Sequence, residues 1–403
     1  MSIAQKIKTL AVILTVAVAA NAQFNAPASA RVSSLAGISF GDISDVYAYP
    51  VLMMGYADHI SATWGGGVIG IKALNDMISI GILANQGYVA PGFAGAATAY
   101  LDGYFGPTPA DPGFGSTDYA IPHFLLGFDL GAIRLGADIF FEYAGYSYEV
   151  DPAAAAASTF KGSVVHPGLR LSGAFDAGDI GIMAKFGIGL PSINGEASVP
   201  GVTADKASLS SGLYMEMGAE LGLPIGDVDW TFGGEYTSED YRFKTGSTST
   251  PTSTRNSLLS FYVGGEFNFM ETAVAALRYQ FVREATTITS PDVSGAPWAS
   301  NPIDHTHFFS AALENTWDNV WVFDSFSLRG GALYAVEGGG MASSSIVSDI
   351  NESDPSNHSP IYPILGFGVS KAFLTLDLAL NMGSWAGVLT GPGVAVVTAT
   401  VKF

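Results

Sequence analysis

Through residues 133–143 the chain alternates without a break. Ile133, Leu135, Ala137, Ile139, Phe141 and Tyr143 take the odd positions, and Arg134, Gly136, Asp138, Phe140 and Glu142 the even ones. A helix would scatter both sets around its axis, whereas a strand puts one set on each face. The pattern returns at 213–221, where Leu213, Met215, Met217, Ala219 and Leu221 alternate with Tyr214, Glu216, Gly218 and Glu220. It returns again at 374–382, where Leu374, Leu376, Leu378, Leu380 and Met382 form a row too apolar for a solvated sheet face. One face suits lipid and the other a polar interior.

Composition agrees. Hydrophobic residues make up 48% of the 403 and charged ones 13%, against about 25% charged in an average soluble domain. Mean hydropathy is +0.31. Beyond residue 30 no apolar run approaches the ~20 residues of a spanning helix, so the apolar character is distributed over short alternating segments. The absence of Cys excludes a disulfide scaffold and a thiol-dependent site. A net charge of −19 argues against nucleic acid as a partner and favours cations.

Turn residues divide the chain into strand candidates near 59–64, 67–73, 77–84, 120–129, 132–147, 163–175, 179–190, 208–222, 228–243, 257–268, 273–288, 304–317, 325–337, 360–370, 373–383 and 393–403. From the fourth on, short connections alternate with longer ones near 148–162, 191–207, 244–256, 289–303, 338–359 and 384–392. Short periplasmic turns and long extracellular loops are the rhythm of a transmembrane antiparallel outer-membrane β-barrel, here of about 14–16 strands. An even count returns both termini to the periplasmic side. A soluble sandwich or propeller also alternates, but no four-strand repeat is visible and the alternating faces carry Leu, Phe and Met.

Residues 1–22 read as a cleaved signal peptide. Lys6 and Lys8 supply the positive end, positions 10–20 the short apolar stretch, and Ala20-Asn21-Ala22 the cleavage site. Removal leaves 15 basic against 36 acidic residues, a net of −21. At the other end Ala395, Val397, Ala399, Val401 and Phe403 share a face, and a terminal aromatic on such a strand fits the signal read by the barrel-assembly machinery. The expected organisation is a signal at 1–22, a plug or hatch at 23–57 and a barrel at 58–403, integral to the outer membrane of a Gram-negative-type envelope and in contact with its lipid.

Strand parity sends Arg134, Asp138, Glu142, His166, Arg170, Lys185, Glu216, Glu235, Glu266, Arg278, Glu314, Arg329 and Asp377 to the lumen. Both signs occur, as cross-strand bracing of the wall requires. Gly shares that parity at Gly136, Gly168, Gly187, Gly189, Gly218, Gly233 and Gly368, among others, which makes room for something bulky. The segment 23–57 precedes the first strand and is expected to fill that room as a luminal plug. The stretch 85–119 carries Tyr88, Phe93, Tyr100, Tyr104, Phe105 and Phe114, an aromatic supply suited to a loop at the barrel mouth.

Two motifs resemble catalytic or metal-binding signatures. Gly37-Ile38-Ser39-Phe40-Gly41 matches G-x-S-x-G but lacks the strand–turn–helix that exposes a nucleophile. Asp304-His305-Thr306-His307 offers two imidazoles at i and i+2, too few ligands for a metal cage. No enzyme activity and no cofactor is expected.

The segment from Arg31 to Gly37, followed by Asp42, Asp45, Tyr49 and Pro50, resembles the start of the long-chain fatty-acid transporter (FadL-type) outer-membrane superfamily. There an Arg and a small-residue turn precede an acidic pair and an Asn-Pro-Ala motif in the N-terminal hatch. Tyr49-Pro50-Val51 stands here in place of that motif. The resemblance implies passive uptake of hydrophobic small molecules, with the ligand taken up by apolar extracellular loops and passed through the lumen or a lateral opening. The alternatives are a diffusion porin preferring cations and a structural or secretion-associated barrel.

Overall fold

The computed structural model describes residues 30–63, 67–84, 118–120, 122–150, 158–198, 205–245, 252–291, 297–300, 303–338, 361–381 and 395–403. Nineteen strand segments among them form one antiparallel sheet. It closes on itself because the first segment pairs on one side with the second and on the other with the last, His59 opposite Lys402 and Thr63 opposite Thr398.

Three pairs of consecutive segments share their neighbours and continue one another, so the barrel has sixteen strands. They are β1 His59–Thr63, β2 Val68–Asn75, β3 Ile78–Ala84, β4 Asp118–Ala120 continued by His123–Asp129, β5 Ile133–Val150, β6 Ser158–Ala177, β7 Ile180–Gly189 continued by Ser192–Ser198, and β8 Asp205–Ile225. The second half is β9 Val228–Thr245, β10 Thr252–Met270, β11 Ala273–Pro291, β12 Pro297–Ser300 continued by Ile303–Asp318, β13 Ser325–Gly338, β14 Ile361–Lys371, β15 Leu374–Asn381 and β16 Ala395–Lys402. Proline lacks the N–H that a ladder needs, and two of the interruptions carry Pro122 and Pro191.

The faces are inverted relative to a soluble protein. Ile139, Phe141, Leu171, Phe186, Leu313 and Phe367 are 41–57% exposed, while Asp138, Arg170 and Glu216 are 1%, 3% and 2% exposed. A water-soluble fold buries the first group and solvates the second. Alternation around a closed wall with the apolar set outside is the membrane-barrel solution, in which every backbone group is paired and no edge remains. Among the described residues no helix is long and apolar enough to cross a membrane; the strands do so.

Several strands outrun their expected ends. The connection expected near 148–162 narrows to 151–157, because β5 reaches Val150 and β6 begins at Ser158. Beyond the apolar band the sequence of the strands turns to polar residues such as Ser158, Thr159, Thr252 and Ser253, so hydrophobic alternation ends before the ladder does. The short turns lie at the end that holds Phe403. Gly131, at φ +85°, closes one of them, its N–H donating to the Asp129 carboxylate at 2.8 Å.

The N-terminal residues fold as α1 Ala30–Ser34 and two 3-10 turns, Ile43–Tyr47 and Pro50–Tyr56. Asp42 and Asp45 build a capping box on the first of these turns: Asp42 accepts from Ser44 N–H, and Asp45 accepts from Asp42 N–H at 2.9 Å. Pro50 opens the second, where its missing N–H costs nothing.

Candidate functional site

Many of the candidate residues gather where the segment 30–56 meets inward positions of the wall. Apolar packing makes the broadest contact. Ile43, Val46 and Met53 lie against Ile69, Ile71, Leu83 and Leu125, and Leu35 and Ile38 lie against Ala276 and Ala312. Val46, Val51 and Met53 are fully buried. At ~25 cal/mol per Å² of apolar surface, each buried aliphatic side chain contributes roughly 1.5–3 kcal/mol to seating the segment.

A buried polar cluster stands beside this contact. His123 Nδ1 lies 3.0 Å from Asp138, Arg170 donates to Asp138 at 2.9 Å and also to Glu216, and the Tyr214 hydroxyl donates to Glu216 at 2.8 Å. His166 packs edge-on against Phe140 and Tyr214. Arg170 also reaches the segment, donating to the Tyr47 carbonyl at 3.2 Å. Nearby the Val51 N–H donates to the Ser172 hydroxyl at 2.8 Å. Gly136 permits that approach, because a Cβ there would lie 2.2 Å from the Val51 nitrogen.

A second cluster holds the start of the segment. Arg31 forks onto Glu314 at 2.9 and 3.0 Å, Glu314 also accepts from Arg329 at 2.8 Å, and Arg329 donates to Asp377 at 2.5 Å. The Ala30 N–H donates to the Thr398 hydroxyl at 2.8 Å. Burial works against the Arg31 charge, but the hydrogen bond and attraction of Glu314 outweigh it and raise its pKa. Arg31→Ala removes one of two cations from Glu314 and is expected to loosen the segment by about 1–3 kcal/mol while leaving the wall closed. Faster hydrogen exchange confined to residues 30–56 checks this.

A third group lies under Tyr49. Its ring sits 5.3 Å from the Lys185 ammonium, which pairs with Glu235 at 2.8 Å. Tyr262 donates to Glu220, and the Arg278 guanidinium lies 4.1 Å over the Tyr262 ring. Arg134 pairs with Asp176 near the short turns, away from the segment. Glu266 is half-buried on β10. The side chain of Glu142, the stretch 85–117 and residues 1–29 lie outside the described residues.

Burial lifts the Asp45 carboxyl to about 6, against hydrogen bonds from the Asp42 N–H and the Ser39 hydroxyl that favour its ionised form. An acid whose pKa rises on docking contributes stability that is present at low pH and is lost as pH climbs from the usual carboxylate range through that raised value. A spin label at the exposed position Ala48 should therefore gain mobility between about pH 4 and pH 6 and level off above. Asp45→Asn should flatten the profile.

Ser39 of the G-x-S-x-G stretch spends its hydroxyl on Asp45 at 2.6 Å, in irregular chain with no strand before it. His305 and His307 take outward positions, with Thr306 buried between them. Among the described residues no group of three side chains is arranged to hold a metal.

The luminal set read from the sequence omits His123, Ser172 and Thr398, which carry no net charge in that pattern. Each sits at inward parity next to residues already placed. The apolar inward residues Ile69, Ile71, Leu83 and Leu125 gave no such signal, since apolar residues occupy both faces of those strands.

Comparison with solved structures finds several that cover nearly the whole chain at low identity. The Ralstonia pickettii toluene transporter TbuX is 13% identical with a TM-score of 0.42, covering 93% of this chain and 98% of that one. The Pseudomonas putida toluene transporter TodX is 12% identical with a TM-score of 0.44, covering 95% and 100%. The CymD monoaromatic hydrocarbon channel is 12% identical with a TM-score of 0.41, covering 94% and 99%. The likeness is one of barrel architecture. The chain matches no family profile and no curated protein.

Proposed function

We propose that the protein is a passive outer-membrane channel for hydrophobic small molecules, with the segment 23–57 acting as its plug. The observation that carries the reading is the packing of 30–56 against inward positions of the wall, through fully buried Val46, Val51 and Met53 and the bonds of Arg31 and Arg170. An open diffusion pore has no use for an apolar lining at Ile69, Ile71, Leu83 and Leu125, whereas a closed one needs such a seat for its plug. The hydrocarbon channels that share the architecture support the same class of cargo. Export through a signal peptide at 1–22 and assembly through Phe403 complete the proposal.

Equilibrium binding of toluene and of a long-chain fatty acid to the purified full chain tests the cargo. Saturable binding of either is expected. Steady ion conductance with binding of neither would favour the cation-preferring porin.

A further inference from the structure

The outer wall carries a depth profile on β11 and β12. Moving from the middle of the strands toward the long loops, the paired outward residues are Leu277 with Ala311, Tyr279 with Phe309, Phe281 with His307, and Arg283 with His305. Successive pairs stand about 6–7 Å apart. The sequence thus runs from aliphatic to aromatic to cationic within two or three steps, matching the hydrocarbon, interface and headgroup levels of a leaflet.

The aromatic step is a built unit. Tyr279 stacks on His307 with centroids 6.1 Å apart and shares a hydrogen bond with its Nδ1 at 2.9 Å, while Phe281 lies 5.3 Å from His307 and Phe309 lies 6.1 Å from Tyr334. Above it Arg283 is exposed, and its guanidinium makes no ion pair or hydrogen bond among the described residues. His305 is held at its base by Phe281, with ring centroids 6.5 Å apart. On its other side its register partner is Gly338. The carboxylates at the level of Arg283, Glu284 and its cross-strand partner Asp304, both take the inward parity. In a chain of net charge −19, an outward Arg beside a His, with no outward carboxylate between them among the described residues, is a place for an anion.

The geometry points to a binding site for one phosphorylated lipid of the outer leaflet, its phosphate held by the Arg283 guanidinium and a ring N–H of His305, and its acyl chains lying along Phe281, Tyr279, Phe309 and Leu277. Planar guanidinium matches phosphate oxygens, and a site at the end of an aromatic band presents it at headgroup depth. The inference rests on the membrane-barrel fold and is independent of the cargo.

Native mass spectrometry of the detergent-purified full chain, titrated with diphosphorylated lipid A and with its dephosphorylated form, tests it. The phosphorylated lipid should be retained as a single adduct. Arg283→Gln combined with His305→Gln should weaken it about tenfold, the size expected for losing headgroup contacts, without altering retention of the dephosphorylated form. Arg283→Lys, which keeps the charge but not the planar fork, should fall between the wild type and the double variant, and heat-modifiable gel migration verifies that each variant is folded. Equal retention of the two lipids, an unchanged affinity in the double variant, or displacement of the lipid by inorganic phosphate at equal concentration would overturn the proposal.

Discussion

Replacing Arg170 with alanine is expected to destabilise the barrel by about 3–5 kcal/mol, the cost of stranding buried charge without its partner. The guanidinium lies between Asp138 and Glu216, all three at most 3% exposed, and it also donates to the Tyr47 carbonyl. Its removal leaves Asp138 to His123, and Glu216 to Tyr214 and the more distant charge of Lys185. Arg170→Lys keeps the charge but not the fork that reaches both acids and the carbonyl together, so it should recover only part of the loss. Urea unfolding of the refolded protein, followed by gel mobility without heating, measures the difference. A loss under about 1 kcal/mol for the alanine variant would mean that water already reaches this cluster.

Gly136→Val should act on the segment instead of the wall. The new Cβ would lie 2.2 Å from the Val51 nitrogen and 2.5 Å from the Pro50 carbonyl carbon. These are backbone atoms, which cannot swing aside as a side-chain tip can. The segment must lift, losing the Val51 bond to Ser172 and the burial of Val51 and Met53, while Leu135 and Ala137 keep the outer face of β5 unchanged. Amide exchange over residues 43–56 should rise at least about tenfold, which corresponds to 1.4 kcal/mol or more, with the strand amides protected as before. Unchanged exchange in that stretch would show that β5 shifts to accommodate the valine.

Much of the wall was legible from the chain because a membrane barrel writes its two faces in two vocabularies. Leu, Phe and Ile at one parity and Asp, Arg and Glu at the other placed β5, β8 and β15 and put Asp138, Arg170 and Glu216 together on inward positions. The strand ends were less legible. Where the sequence turns polar at both parities, as at Thr252–Ser253, alternation has nothing to report although the ladder continues. The inward side of β2, β3 and β4 was hidden for the opposite reason. Ile69, Ile71, Leu83 and Leu125 meet Ile43, Val46 and Met53 instead of water, so both faces read as apolar. The shared use of Glu314 by Arg31 and Arg329, 298 positions apart, is a contact that no local spacing encodes.

The most direct test of a plugged hydrophobic channel is single-channel conductance of the refolded full chain in a planar bilayer, set beside Gly136→Val and a chain lacking 23–57. A closed full chain, with both changes opening it, is the expected result. A full chain that already conducts steadily, at the same level as the shortened one, would contradict the proposal and leave a cation-preferring pore in its place.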